Sequence, residues 1–285
     1  MTAQPATIKL FLPLGDPTRL RTAELSNWSG KALACPRSDL GDLYEREESG
    51  QSGVYVLTGI DASTGDSVAY IGEAEVLRSR LKQHAAKDYW NQVVLFVSKD
   101  ENLTKAHIRY LEGALIAEAT EVGRATIMNA QASGSKLPES DRADMDVYLT
   151  KVRQMLPVLG SSLLSPLRSV SAPSTLEVFS TGIKSLRATG EPTSGGFVVF
   201  SGSQAVRDMR PSASPYVVAE QSRLIDSGRL VPEGTHYVFA EDVEFASASM
   251  AASIIKGGNT NGLISWKRPD GLSLKDLEQQ SSVDA

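Results

Sequence analysis

Residues 53–60, Gly-Val-Tyr-Val-Leu-Thr-Gly-Ile, decide how the rest of the chain is read. The run is rich in β-branched and aromatic residues and is apolar at both alternating positions, the pattern of a strand buried on both faces. Asp61-Ala62-Ser63-Thr64-Gly65-Asp66 then supplies turn residues, and Ser67-Val68-Ala69-Tyr70-Ile71-Gly72 reads as the returning strand of a hairpin. Downstream, residues 73–86 (EAEVLRSRLKQHAA) place Val76, Leu77, Leu81 and Ala85 near helical period, with basic residues on another face. Asn91 to Ser98 forms a third strand, and residues 103–121 a helix whose apolar side carries Leu103, Ala106, Ile108, Leu111, Leu115 and Ile116. A further helix over roughly 141–156 closes this region, with acidic residues suited to its positive N-terminus.

Outward from this block the pattern weakens. The first 50 residues hold a short apolar run (Ile8 to Leu12), a Gly-Asp-Pro turn, and apolar segments around Trp28 and Ala32-Leu33-Ala34. Ser38 is placed to cap a short helix. This region is expected to be a small αβ extension. Residues 158–175, rich in Ser, Pro and Leu, read as a linker. Residues 176–278 read as a second α+β unit. Its expected strands lie in GFVVFSGS, HYVFAED and NGLISWKRPDG, and its helices in EQSRLIDSG and SASMAASIIKGG. The tail after Glu278 is expected to be disordered. The fold class is therefore α+β, in two domains (51–157 and 176–278) with an N-terminal extension.

Composition narrows the classes. With 285 residues, 41% hydrophobic and 22% charged, the chain can bury two cores, and no apolar run approaches the roughly 20 residues needed to cross a bilayer. The N-terminus lacks a signal-peptide pattern, and the single cysteine, Cys35, excludes an intrachain disulfide and a cysteine metal cage. A cytoplasmic location is the expectation. The net charge of −5 argues mildly against a nucleic-acid partner. Locally the balance reverses: Arg78, Arg80, Lys82, Lys87, Lys99, Lys105 and Arg109 are opposed by only Asp88, Asp100 and Glu101. Taken alone, that stretch is a solvated helix face that permits a phosphate site without requiring one.

Single residues here have ordinary explanations, whereas their order does not. Gly53-Val54-Tyr55 and Tyr70-Ile71-Gly72 on paired strands are followed by Arg80, then by His84 one helical turn on, then by Glu112 on a later helix and Asn129 near the end. This succession resembles the GIY-YIG nuclease family, from which it departs only in Val54 for the first Ile. The resemblance covers residues 53–129 and implies a compact domain with a small antiparallel sheet flanked by helices. It implies a metal-dependent endonuclease hydrolysing phosphodiester bonds, with DNA as the expected partner. Glu112 would bind a single Mg²⁺ or Mn²⁺, since a hard cation takes oxygen ligands. Arg80 would grip the non-bridging oxygens through its planar guanidinium. Tyr55 would orient or deprotonate the attacking water, with Tyr70 and His84 bonding around it, and His84 is an alternative proton acceptor. Gly72, Arg78, Lys82, Lys105 and Asn129 are expected to contact substrate. The C-terminal unit, through Ala248 to Gly258, Gly262, Trp266 and Asp270-Gly271, resembles an uncharacterised domain that accompanies GIY-YIG and restriction-related proteins. The alternative is a nucleic-acid-binding or regulatory protein with a non-catalytic GIY-YIG fold.

Three features are read as structural. His107 lies five residues before Glu112 and is expected to pack or touch substrate. Asp141, Asp144 and Asp146 are expected to cap and solvate a helix start. Gly257-Gly258-Asn259-Thr260-Asn261-Gly262 is too loose for a phosphate-binding P-loop.

Overall fold

The computed structural model describes residues 5–129, 135–166, 178–183, 185–193 and 195–283, which divide into two compact units, residues 1–165 and 166–285. It is α+β throughout. No helix among the described residues is long and apolar enough to cross a membrane.

The first unit is built on one sheet. Its strands are β1 (Ile8–Phe11), β2 (Arg21–Leu25), β3 (Gly30–Pro36), β4 (Gly53–Ile60), β5 (Ser67–Ala74), β6 (Gln92–Ser98) and β7 (Thr126–Ile127), in the order β1-β2-β3-β6-β4-β5-β7. All neighbours are antiparallel except β5 and β7. The hairpin read from sequence forms β4 and β5, with Tyr55 opposite Gly72 and Gly53 opposite Ala74.

Because side chains alternate along β4, it feeds two cores. Val54 and Val56 join Ala69, Ile71, Val94 and Phe96 beneath helices α3 (Lys105–Val122) and α4 (Glu139–Val158), which contribute Ile108, Leu111, Leu115 and Tyr148. Tyr55 and Leu57 join Leu95 and Val97 on the opposite face, beneath α1 (Leu40–Glu45) and α2 (Leu77–His84), which contribute Leu43, Leu77 and Leu81. Helix α3 starts in a capping box, where Thr104 accepts from the His107 N–H and the His107 ring accepts from the Thr104 N–H.

Several expectations change here. Residues 1–50 are not a separate extension: β3 pairs with β6 over seven positions, from Gly30–Ser98 to Pro36–Gln92. A buried strand such as β6 leaves backbone groups unpaired unless both edges are covered, so the sheet is seven-stranded rather than small. Ser38 caps nothing; residues 37–39 form a 3₁₀ turn, and Asp39, bound by Arg19 at 2.8 Å, stands at the start of α1. Val76 and Ala85 face solvent, and His84 takes the inward position expected of the latter. Ala106 is also exposed. The expected linker begins too early: α4 runs to Val158, and Leu159, Leu163 and Leu164 are buried in the first core. Residues 167–175 of that stretch lie outside the described residues.

The second unit has a four-stranded sheet of β8 (Phe179–Ile183), β9 (Leu186–Thr193), β10 (Gly196–Val199) and β14 (Val243–Phe245), in the order β14-β10-β9-β8. A three-stranded sheet joins β11 (Gln204–Val206), β12 (Leu230–Glu233) and β13 (His236–Phe239). Around them lie α5 (Pro215–Asp226), α6 (Ala248–Lys256), α7 (Gly262–Ser265) and α8 (Leu274–Val283). Ser214 and Ser247 cap α5 and α6. The expected strand at NGLISWKRPDG is instead the short helix α7, and the chain after Glu278 continues α8 to Val283. The Trp266 indole donates to the Ala248 carbonyl and Ser249 Oγ accepts from the Gly262 N–H. That docking against α6 overrides the strand-like pattern of Leu263 and Ile264.

Candidate active site

Tyr55 and Tyr70 come from adjacent strands, two residues out of register, and so share a face of the sheet. Their rings stack with centroids 6.1 Å apart and planes 15° from parallel. Gly72 sits opposite Tyr55 and makes this possible: a Cβ at residue 72 would lie 2.4 Å from both Cζ and the hydroxyl oxygen of Tyr55. Helix α2 lays Arg80 and His84 over the same place, one turn apart.

The hydroxyl of Tyr55 is the hub. It lies 2.9 Å from His84 Nε2 and accepts from Arg80 Nε at 3.4 Å, while an Arg80 terminal nitrogen reaches the Tyr70 hydroxyl at 3.5 Å and another donates to Gln83 at 2.9 Å. Arginine only donates, so the lone pairs of Tyr55 face Arg80 and its own proton points at His84. That leaves Nε2 as the acceptor and puts the imidazole proton on Nδ1, 3.5 Å from the Tyr89 hydroxyl. Burial, and then the nearby charges of Arg80 and Lys87, hold the His84 pKa down at about 4, so the ring is neutral at pH 7. Burial pushes the Tyr55 phenol well above its usual range, against the pull of Arg80. Tyr55 is thus a proton donor here, fully buried, with exposed Arg80 and half-exposed Tyr70 between it and solvent.

Glu112 arrives from α3, on the other face, and reaches the outer edge of β5 at Glu73. Beyond β7 the outer edge of β5 has no strand partner among the described residues: Ala69 accepts from the Met128 N–H at 2.8 Å, and the Asn129 side chain serves both the N–H and the carbonyl of Ile71, at 3.2 and 2.5 Å. Glu73 is the next outward-facing position, and its backbone N–H bonds the Glu112 carboxylate. Burial first, and then the charge of Glu73, raise the Glu112 pKa, with that N–H, Lys105 and Arg109 pulling the other way.

A divalent cation fits this donor set in one form. Among the described residues no group of three His, Cys, Asp or Glu side chains could enclose a metal. A half-buried carboxylate destabilised by a neighbouring carboxylate can still hold one hard cation that completes its shell with water and phosphate oxygens.

The remaining expected contacts separate. Asn129 is committed to β5 rather than turned to substrate. Lys105 pairs with Glu73 at 2.8 Å, beside Glu112, and lies 3.9 Å from Glu75. Arg78 lies against Gly50 and lines a polar cavity with Glu47, Glu75 and Glu101. Lys82 sits 5.4 Å over the Tyr44 ring. Neither Arg78 nor Lys82 contacts the tyrosine cluster. His107 is a capping residue 3.5 Å from Asp141, and Asp146 accepts from the Tyr110 hydroxyl at 2.7 Å, in keeping with structural roles. Reading the sequence missed Tyr89, Gln83 and Glu73. Glu73 had a signal, since it follows Tyr70-Ile71-Gly72 on the face opposite Gly72.

Residues 179–278 match the model of a domain of unknown function, DUF4357. The match spans the segment whose sequence resembles an uncharacterised domain. No curated protein and no solved structure matches the chain.

Proposed function

We propose that residues 53–129 are a GIY-YIG endonuclease that hydrolyses DNA with one divalent metal at Glu112. The observation that carries this reading is the bonded set Arg80–Tyr55–His84 on one face of the sheet, with the Glu112 carboxylate bonded from the other face to the backbone of β5 at Glu73. Phosphodiester hydrolysis needs positive charge on the phosphate, an oriented water and protonation of the leaving oxygen. Arg80, exposed and tied only to hydroxyls and an amide, is free to exchange those partners for two phosphate oxygens. When it does, the Tyr55 hydroxyl loses its cover and can hold the water, and as Tyr55 takes the water's proton its own, already directed at Nε2, can pass over 2.9 Å to neutral His84. A bound cation would supply charge neutralisation at the phosphate. Lys105 keeps the Glu73 carboxylate paired, leaving Glu112 as the unpaired acid.

The test is cleavage of supercoiled plasmid and of branched and single-stranded oligonucleotides with Mg²⁺, Mn²⁺ or EDTA. Glu112→Gln and Arg80→Lys should each lower the rate roughly 100-fold or more while the melting temperature is kept. Wild-type turnover in either variant would overturn the role proposed for that residue. A second reading, a binding or regulatory protein without turnover, draws on the complete burial of Tyr55 and the net charge of −5. It expects metal-independent binding and no products.

A further inference from the structure

The second unit carries a group of cations whose placement its own folding does not explain. Helix α6 ends at Lys256, and Gly257 turns the chain with φ +70° into the loop that leads to α7. This loop is fixed rather than loose. A Cβ at Gly257 would lie 2.4 Å from Val206 Cγ2, and the Gly257 carbonyl accepts from the Arg210 N–H at 2.7 Å. The Arg210 side chain runs along Gly258, with its Cδ 3.1 Å from where a Cβ would stand. Lys256 Nζ reaches over to Ser265 Oγ at 3.1 Å, two residues before Lys267. Lys267 is held in place by reciprocal backbone bonds with Ser180, at 2.7 and 2.9 Å.

Three cations from three segments therefore gather beside one rigid loop, and among the described residues no carboxylate lies within ion-pair distance of any of them. The neighbouring charges are otherwise engaged. Arg268 pairs with Asp270 at 3.1 Å, and Arg207 donates to the Gly234 carbonyl. Asp276, the acid that feels Lys267, is bonded by Ser273 at 2.6 Å. The Lys256 pKa is lowered by burial and then by the charges of Arg210 and Lys267, so both lie close enough to repel it. Like charges held together without an ion-paired carboxylate destabilise a fold, so such a group is explained by an external anion. Arg210 and Lys267 are exposed, as are Asn259 and Asn261, whose side chains can bond phosphate or sugar oxygens.

We infer that Arg210, Lys256 and Lys267, with the Gly257–Gly262 loop between them, form a phosphate-binding face by which the C-terminal unit holds nucleic acid. The choice of nucleic acid among polyanions rests on reading the first unit as a nuclease; the anion site itself does not.

Binding of labelled duplex and single-stranded DNA to the full chain would be followed by anisotropy in EDTA, across 50–300 mM salt. Each phosphate contact contributes about 0.9 to the slope of log affinity against log salt on duplex DNA. Arg210→Gln/Lys256→Gln/Lys267→Gln should lower the slope by roughly 2–3 and the low-salt affinity at least about tenfold. Its melting temperature should hold or rise, because mutual repulsion is removed. If the triple variant melts early, the exposed pair Arg210→Gln/Lys267→Gln should still lower the slope by roughly 2. An unchanged slope, no binding by the wild type, or binding to anionic lipid vesicles in place of DNA would overturn the inference. Binding with the expected slope by a protein that never cuts would uphold this face and remove the nuclease reading. Cutting with an unchanged slope would do the reverse.

Discussion

Gly72→Ala tests the packing on which the candidate site depends. The new Cβ would stand 2.4 Å from Tyr55 Cζ and from its hydroxyl oxygen, and 2.8 Å from Cε1. Carbon atoms in contact rest about 3.5–4.0 Å apart, so the ring must retreat by about 1 Å or more. Tyr55 is fully buried among Leu57, Leu77 and Leu81, and Tyr70 stacks on it, so the retreat overpacks a filled core at a cost of about 1–3 kcal/mol. The same movement stretches the 2.9 Å bond to His84 and strands Nε2 of a buried ring, adding about 1 kcal/mol. Together these lower stability by about 2–4 kcal/mol, which for a unit of this size is a fall of roughly 5–15 °C in melting temperature. Urea unfolding followed by tryptophan fluorescence measures it, since Trp90 is buried and donates to the His84 carbonyl at 3.1 Å. Repeating Gly72→Ala in a Tyr55→Ala background separates the clash from a backbone effect. Without the ring, most of the loss should vanish. An equal loss in both backgrounds, or no loss in the first, would refute the close approach of Tyr55 to residue 72.

Two further outcomes follow from the same geometry. Asn129→Ala removes the side chain that serves both backbone groups of Ile71, so it should cost about 1–3 kcal/mol, and hydrogen exchange of the Ile71 amide should speed up. An unchanged exchange rate would show that the edge of β5 is closed by something else. His84 supplies a pH dependence whose sign is fixed by its lowered pKa. The folded state keeps the ring neutral down to about 4, whereas the unfolded chain takes up the proton from the ordinary value of 6.5, so stability from this group is lost as pH falls between those limits. Urea midpoints at pH 7.5 and 4.5 should therefore differ by less in His84→Gln than in the wild type. Equal differences would place the acid sensitivity elsewhere.

How much could be read beforehand depended on whether a residue's neighbours were local. The β4–β5 hairpin was legible because Asp61 to Asp66 carry turn chemistry and Tyr55 and Tyr70 lie across a short turn, where register follows from the turn itself. Arg80 and His84 were legible because helical spacing sets a shared face. The strands β1 to β3 were recognised as apolar segments but not as members of this sheet. Their partner β6 lies some sixty residues downstream of β3, and pairing at that distance leaves no mark on local periodicity. His84 itself misled the helix reading. Counting apolar residues chose Ala85 for the buried face, but an imidazole with both nitrogens near hydroxyls can be buried where a small apolar residue was expected. Leu263 and Ile264 gave the opposite error, since their strand propensity lost to the docking of Trp266 on α6.

The basic stretch from Arg78 to Arg109 shows most sharply why charge in sequence does not locate a site. Its cations lie on α2, on α3 and between them, and the structure distributes them: Arg78 to a cavity with three glutamates, Lys82 over the Tyr44 ring, Lys105 to Glu73. Lys87 lies 6.0 Å over the Tyr70 ring, and the cation bonded to the tyrosine hydroxyls themselves is Arg80. Its neighbours there are hydroxyls and an amide instead of carboxylates, so its charge is not neutralised by an ion pair. That distinction orders the candidates for phosphate binding. A cation already paired must give up its acid before it can take a phosphate, whereas Arg80 exchanges only neutral partners. The same criterion, applied to the second unit, selects Arg210, Lys256 and Lys267 over Arg268, which is already paired with Asp270. Lys105 is the informative intermediate, because releasing it from Glu73 would place a second unpaired carboxylate beside Glu112. A cation bound at that edge would then gain a second oxygen donor, and the freed lysine would be available to the phosphate that arrives with it.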